Sequence, residues 1–174
     1  MKVLAFAASN SRTSINKQLA TYAASLVKGA EVEVLDLNDY EMPIFSIDRE
    51  NESGQPGLAQ DFLEKIASCD ALIISFAEHN GFYSAAYKNI FDWCSRIQPK
   101  IFQGKPTLLM ATSPGGRGGA TVLAAALASM PRFAADIRAS LSVPSFDENF
   151  DVDKGCLSNE DLNRQLLAAV ELLV

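Results

Sequence analysis

Several things are scarce in these 174 residues, and each scarcity closes a route. Cysteine occurs three times, at Cys69, Cys94 and Cys156, with no C-x-x-C pair. That excludes a disulfide scaffold and a cysteine zinc site, and it suits a reducing, cytoplasmic setting. The single histidine, His79, leaves hydrolase chemistry with one candidate base and no Ser or Cys placed to pair with it. Positive charge is short: 15 Lys and Arg stand against 21 Asp and Glu, a net charge of −6. A nucleic-acid partner would require a basic footprint instead. An anionic ligand must therefore be held by local donors against the overall field. No apolar run approaches the ~18 residues of a membrane span. Val3 to Ala8 follows a lysine but is too short for a signal peptide, and the polar stretch Ser9 to Ser14 cuts it off.

What is present is an ordinary globular composition, 48% hydrophobic and 21% charged, long enough for one domain spanning residues 1–174. Apolar runs at Lys2 to Ala8, Asp70 to Phe76 and Pro106 to Thr112, an alternating stretch at Glu31 to Leu37, and a fifth segment at Leu141 to Phe146 read as strands. Helical spacing links them. Ile15, Leu19, Tyr22 and Leu26 form one stripe, and Leu58, Phe62 and Ile66 a second. Tyr87, Ile90, Phe91 and Cys94 form a third, and Val122, Leu123, Ala126, Leu127 and Met130 a fourth. Leu162, Leu166, Ala169, Val170 and Leu173 form the last, with Ser158 and Asp161 as its start signal. Strands alternating with helices predict an α/β doubly wound parallel sheet, whose ligand sits beyond the carboxyl ends of the strands. Asn38 to Pro56 is the longest irregular stretch. It reads either as a binding loop or as a solvated excursion anchored by Met42-Pro43-Ile44-Phe45.

Three loops at that edge carry the chemistry. Ser9-Asn10-Ser11-Arg12-Thr13-Ser14-Ile15-Asn16 places hydroxyls and amides around a helix N-terminus, where unpaired N–H groups and a partial positive charge favour phosphate. It lacks glycine, which excludes the P-loop and the GxGxxG fingerprint. A plain N-cap at Ser14 in a polar loop is the simpler reading. Ala77-Glu78-His79-Asn80-Gly81-Phe82-Tyr83-Ser84 contains an Asn-Gly turn followed by two aromatics, a polar edge suited to a flat ring. Glu78 offers a general acid or base, and His79 either a contact or a solvated side chain. Ser113-Pro114-Gly115-Gly116-Arg117-Gly118-Gly119 has more glycine than a simple turn needs, so its backbone can approach a ligand closely. Arg117 there either meets an anion or is solvated.

Taken in order, these loops resemble the NADPH-dependent FMN reductase family, whose members include flavin, quinone, azo-dye and chromate reductases. The family's Ser-x-Arg-x-x-Ser-x-Asn is matched by Ser9, Ser14 and Asn16, with Ser11 at the arginine's place and Arg12 next to it. Its Pro-Glu-Tyr-Asn and Lys-Asn-x-x-Asp-Trp appear as Ala77-Glu78-His79-Asn80 and Lys88-Asn89-Ile90-Phe91-Asp92-Trp93, and its Ser-x-Gly-x-x-Gly-Gly as Ser113 to Gly119. The resemblance implies a flavodoxin-like three-layer sandwich with a five-stranded parallel sheet in the order 2-1-3-4-5. It implies that Ser9, Ser11, Arg12, Ser14 and Asn16 hold the FMN phosphate. Glu78, His79, Asn80 and Gly81 would then flank the isoalloxazine, with Ser113, Gly115 and Gly118 closing over its other side. NADPH or NADH would be the electron donor, with Arg12 and Arg117 as candidates for the extra phosphate of NADPH. A small-molecule acceptor and a homodimer or homotetramer are also implied, the helix Lys88 to Trp93 contributing to the contact.

In such an enzyme the cofactor supplies the redox chemistry, so no protein nucleophile or metal is expected. Met42 or Phe45, from the loop after the second strand, is expected to wall the acceptor site. The sequence departs from the family pattern at Ala77 (proline), His79 (tyrosine) and Ala85 (proline). A flavodoxin-type electron carrier would have glycine in the first loop and two bulky aromatics bracketing the ring. A flavin-free domain of the same fold is the other alternative.

Overall fold

Strand β1 (Lys2–Ala8) is apolar after Lys2 because both of its faces are covered. Leu4, Phe6 and Ala8 join one core layer, while Val3 and Ala5 join the other. The same division holds in β3 (Ala71–Phe76), with Leu72, Ile74 and Phe76 on one side and Ala71 and Ile73 on the other, and in β4 (Pro106–Thr112). The computed structural model describes residues 1–173. With β2 (Glu31–Leu35) and β5 (Asp136–Val143) these strands form a five-stranded sheet in the order β2-β1-β3-β4-β5, every pair parallel. Helices α1 (Ile15–Ser25) and α7 (Glu160–Glu171) pack on one face. Helices α3 (Gly57–Ala67), α4 (Ala85–Ile97) and α5 (Ala120–Ser129) pack on the other. This is the flavodoxin-like sandwich expected, with its switch in strand order between β1 and β3. Among the described residues, no helix is long and apolar enough to cross a membrane.

The structure corrects several boundaries. The second strand ends at Leu35 rather than Leu37, because Asp36 accepts the Asn38 N–H (2.9 Å) and starts a 3-10 turn over Leu37–Tyr40. The fifth strand runs Asp136–Val143, not Leu141 to Phe146. It is an edge strand whose Arg138 and Ser140 are exposed, so its first half carries no apolar run. Phe146 has left the sheet and opens α6 (Phe146–Asn149). The last helix is capped by Asn159, whose side chain accepts from the Asp161 and Leu162 N–H groups (3.1 Å each), and not by Ser158. Leu127 lies outward from α5, 37% exposed.

The long loop after β2 is neither structureless nor loose. Its second half is helix α2 (Ile47–Ser53), capped by Ser46. Its first half is strapped to α4. The Asn89 side chain accepts from the Phe45 N–H (2.8 Å) and donates to the Met42 carbonyl (3.0 Å), and the Trp93 indole N–H donates to the Pro43 carbonyl (2.7 Å).

The carboxyl edge is tied by buried polar groups. Asn16 lies on the inward face of α1 in register with Leu19, Ala20 and Ala23 and is 3% exposed. Its amide donates to the Thr112 carbonyl (3.1 Å), and its side-chain oxygen accepts from the Thr112 N–H (3.0 Å) and the Ser75 hydroxyl (2.7 Å). Thr112 in turn donates to the Val143 carbonyl (2.7 Å), and Ser84 to the Ala8 carbonyl (2.8 Å). Removing the amide strands three buried groups, each costing about 1–3 kcal/mol when unsatisfied. Asn16→Ala is therefore expected to lower the unfolding free energy by about 3 kcal/mol, measured as a fall in the urea midpoint at unchanged slope.

Candidate functional site

The first loop ends in a helix start that its own hydroxyls organise. The Ser14 side chain accepts the Lys17 N–H (3.2 Å), the Ser9 side chain accepts the Ser11 N–H (3.2 Å), and the Ser14 N–H donates to the Ser11 carbonyl (3.2 Å). Above this turn lies a 230 Å³ cleft at the ends of β1, β3 and β4. It brings together Ser9, Ser11, Ser14 and Asn16 from the first loop, Glu78 and His79 from the second, and Ser113 from the third. Thr13, Ala77, Thr112 and Pro114 complete its walls. Ser11 and Thr13 are exposed, and Ser9 and Ser14 are 7% exposed.

The second loop is built around a two-residue turn. Asn80 and Gly81 have φ of 52° and 79°, the left-handed pair that an Asn-Gly hairpin turn requires. His79 and Phe82 exchange backbone hydrogen bonds across it (2.9 and 3.0 Å). Asn80 and Gly81 thus serve the turn itself, which leaves His79 exposed at the rim of the cleft.

Glu78 has a structural task. Helix α5 begins at Gly119 (φ 71°), where an added Cβ would meet the Ala111 Cβ at 2.9 Å. Only glycine fits there, so the helix has no capping side chain of its own. The Glu78 carboxylate supplies the cap from the neighbouring loop, accepting the Thr121 and Val122 N–H groups (3.0 Å each). It binds at the positive end of that helix, so its charge is offset. The Arg117 guanidinium, on a side chain 81% exposed, lies 3.8 Å from the other carboxylate oxygen.

Close approach also explains the third loop. A Cβ on Gly118 would fall 2.5 Å from the Ser142 hydroxyl oxygen and 2.8 Å from the Pro144 nitrogen. The Gly115 carbonyl accepts from the Gly118 N–H (3.2 Å), the Ser145 N–H (3.0 Å) and the Ser113 hydroxyl (3.2 Å). Gly115 and Gly118 thus fasten the loop to the segment after β5.

Asn80, Gly81, Gly115 and Gly118 shape their loops without lining the cleft, and three further expected contributors stand elsewhere. Arg12 does not line the cleft but faces a separate groove on the outer side of α1. Met42 is 8% exposed and joins the core, and Phe45 packs edge-on against Trp93 (5.0 Å) beneath Arg96. The expected acceptor wall is thus turned inward, because Asn89 and Trp93 hold the strap by its backbone. Ile44, between them, is 75% exposed. It lines a 220 Å³ hollow with Asn10, Met42, Ala85 and Asn89. Asn16 has its polar atoms committed to Thr112 and Ser75. A polar residue in an apolar helical stripe was the signal for that role. No local signal marks Glu78 as the cap of a helix more than forty residues away.

Charge near the cleft is nearly balanced. Lys17 bonds the Asp36 carboxylate at 2.5 Å. That bond, with help from the Asn38 N–H, holds the Asp36 carboxyl at about 2, well below the usual carboxylate range. Asp36 is therefore anionic at neutral pH and neutralises Lys17, which leaves Arg12, among the described residues, as the uncompensated cation of the first loop.

The profile of the NADPH-dependent FMN reductase family matches residues 1–147. The chain is 33% identical over 122 residues to a 2-hydroxy-1,4-benzoquinone reductase of a Burkholderia species, covering 69% of this chain and 64% of the relative. It is 31% identical over 121 residues to an NAD(P)H-dependent FMN reductase of Pseudomonas aeruginosa, with the same coverage of each. A quinone reductase of Escherichia coli is 32% identical over 80 residues, 46% of this chain and 43% of that one. The chain thus spans less than two thirds of the length of these relatives. In fold it is similar to FerB, a flavoenzyme NAD(P)H:(acceptor) oxidoreductase from Paracoccus denitrificans. The TM-score is 0.81 at 23% identity, over 99% of this chain and 94% of that one.

The cap from Glu78 is separable by substitution. Glu78→Ala is expected to cost about 1–2 kcal/mol of stability, with faster hydrogen exchange at the Thr121 and Val122 amides. Glu78→Gln keeps one acceptor and should recover most of the protection.

Proposed function

The chain belongs to the NADPH-dependent FMN reductase family, and on that premise we propose that it is an FMN-dependent oxidoreductase. It takes electrons from NADPH or NADH and delivers them to a small acceptor such as a quinone, a free flavin, an azo compound or chromate. The observation that carries this reading is the donor set of the 230 Å³ cleft: hydroxyls of Ser9, Ser11, Thr13 and Ser14 around the α1 N-terminus. Its one carboxylate, Glu78, is committed to the α5 amides and paired with Arg117, which offset its charge. The remaining lining supplies donors, and the site fits a phosphate with its attached chain.

In this reading the first-loop hydroxyls and the leading amides of α1 hold the phosphate. The Glu78 to Gly81 turn and the Ser113 to Gly118 loop flank the ring. Asn16 acts as a positioning residue, fixing α1 against Thr112 and Ser75. Bound FMN supplies the hydride chemistry, and the protein binds, orients and shields. Ile44, the outward side chain of the strap, takes the acceptor-facing role expected of Met42 and Phe45. The relatives named as quinone and FMN reductases support this class of reaction.

We also propose a homodimer or homotetramer, closed through α5 and the adjoining face of α4. Helix α5 carries no charged residue, and its outer side exposes Ala124, Leu127 and Ala128. A helix that is apolar on every side is normally covered. Phe82, 49% exposed, adds to the exposed apolar surface of the adjoining loop.

Two measurements test these readings. The full chain mixed with FMN and freed of excess should keep a flavin absorbance spectrum, and anaerobic NADPH should bleach it. A retained flavin that neither nucleotide reduces would reassign the protein as an electron carrier, and a colourless protein would remove the flavin from the proposal. In light scattering, the wild type should elute as an oligomer and Leu127→Glu as a monomer with its circular dichroism unchanged.

A further inference from the structure

The groove into which Arg12 faces is the largest of the described concavities, at 780 Å³, within the ~300–1,000 Å³ range of small-molecule sites. One wall is the outer side of α1, with Gln18, Thr21 and Tyr22. The other is the hairpin joining β6 (Phe150–Asp151) to β7 (Cys156–Leu157), with Phe150 and Val152. That hairpin lies beyond the 1–147 segment that the family profile matches. Thr13 and Ser14 line both this groove and the cleft of the first loop, so the two adjoin across one lip.

Its chemistry is divided. At the lip stands Arg12, exposed and, among the described residues, without an ion-pair partner. Lys17 is also there but is neutralised by Asp36. Farther along, the Tyr22 ring meets Phe150 edge-on (6.1 Å), and Val152 is 60% exposed. Together they give an apolar floor flanked by the side chains of Gln18 and Thr21. The hairpin's Asp151 is turned to Lys154 (3.0 Å) and to its own turn amides, and Asp153 does not line the groove. A cation at one end and an aromatic-aliphatic floor at the other suit a phosphorylated nucleoside.

We propose that this groove receives the adenosine 2′-phosphate half of NADPH, with Arg12 on the phosphate and the purine over Tyr22 and Val152. The proposal rests on the oxidoreductase reading, because it assigns a seat to the part of the donor that does not reach the flavin. It makes Arg12 a residue that selects NADPH over NADH, and it assigns the hairpin a function.

The test uses the full chain loaded with FMN and adenosine 2′,5′-bisphosphate as the probe, titrated by calorimetry. The probe should bind, compete with NADPH in steady-state assays, and bind about tenfold more tightly than adenosine 5′-monophosphate, the worth of one charge-assisted contact. Val152→Glu places an acid on an exposed position of the floor. It should weaken the probe and raise KM for NADPH by about tenfold or more while leaving kcat and the flavin spectrum unchanged, and Val152→Thr should restore both. Absence of probe binding overturns the proposal, as does binding that Val152→Glu leaves unchanged or that ignores the 2′-phosphate. The heat of probe binding does not depend on the flavin signal. A chain that fails to hold FMN therefore sinks the oxidoreductase reading, while the same titration still tests the groove by itself.

Discussion

One buried carboxamide holds the working edge together. Asn16 reaches from the first turn of α1 to the last residue of β4 and to Ser75 in β3, using its donor and its acceptor together. Each strand end at that edge is a place where backbone groups lose their sheet partners and a loop must begin. A charge would be costly to bury there, and an apolar side chain would leave the Thr112 backbone unpaired. The amide meets both demands, and the cleft above it takes its shape from where Asn16 pins the helix.

The third loop extends the same logic. Gly119 has no room for a Cβ, so α5 gives up a local cap, and the loop after β3 lends Glu78 in its place. Gly118 is pressed against the segment after β5, and the Gly115 carbonyl collects donors from that segment and from its own loop. The loops are thereby bonded to one another and not only to their own strands. A rim built this way is rigid where polar side chains must converge, while the exposed side chains of Arg117, paired with Glu78, and His79 lie at its margin.

Much of this was legible in the amino-acid order. Runs covered on both faces marked β1, β3 and β4, and helical stripes marked the five main helices, because burial imposes a period on the chain. The three polar loops fell where a doubly wound sheet puts its ligand. What escaped was non-local or edge-bound. The polar first half of β5 hid an edge strand that begins at Asp136. Met42 and Phe45 looked like exposed apolar residues, but Asn89 and Trp93, more than forty positions later, draw them inward. Arg12 lies within the first loop in sequence, yet it lines the groove on the outer side of α1 and not the cleft.

The strap has a practical corollary. Trp93 is the only tryptophan in the chain, is 1% exposed, and donates its indole N–H to the Pro43 carbonyl while its ring meets Phe45. All indole fluorescence therefore originates at the junction of strap and helix. Release of residues 42–45 would let water reach that ring and move its emission to longer wavelength, while breathing elsewhere in the sheet would leave the colour unchanged. The molecule thus carries an intrinsic optical label at the long connection between β2 and α3.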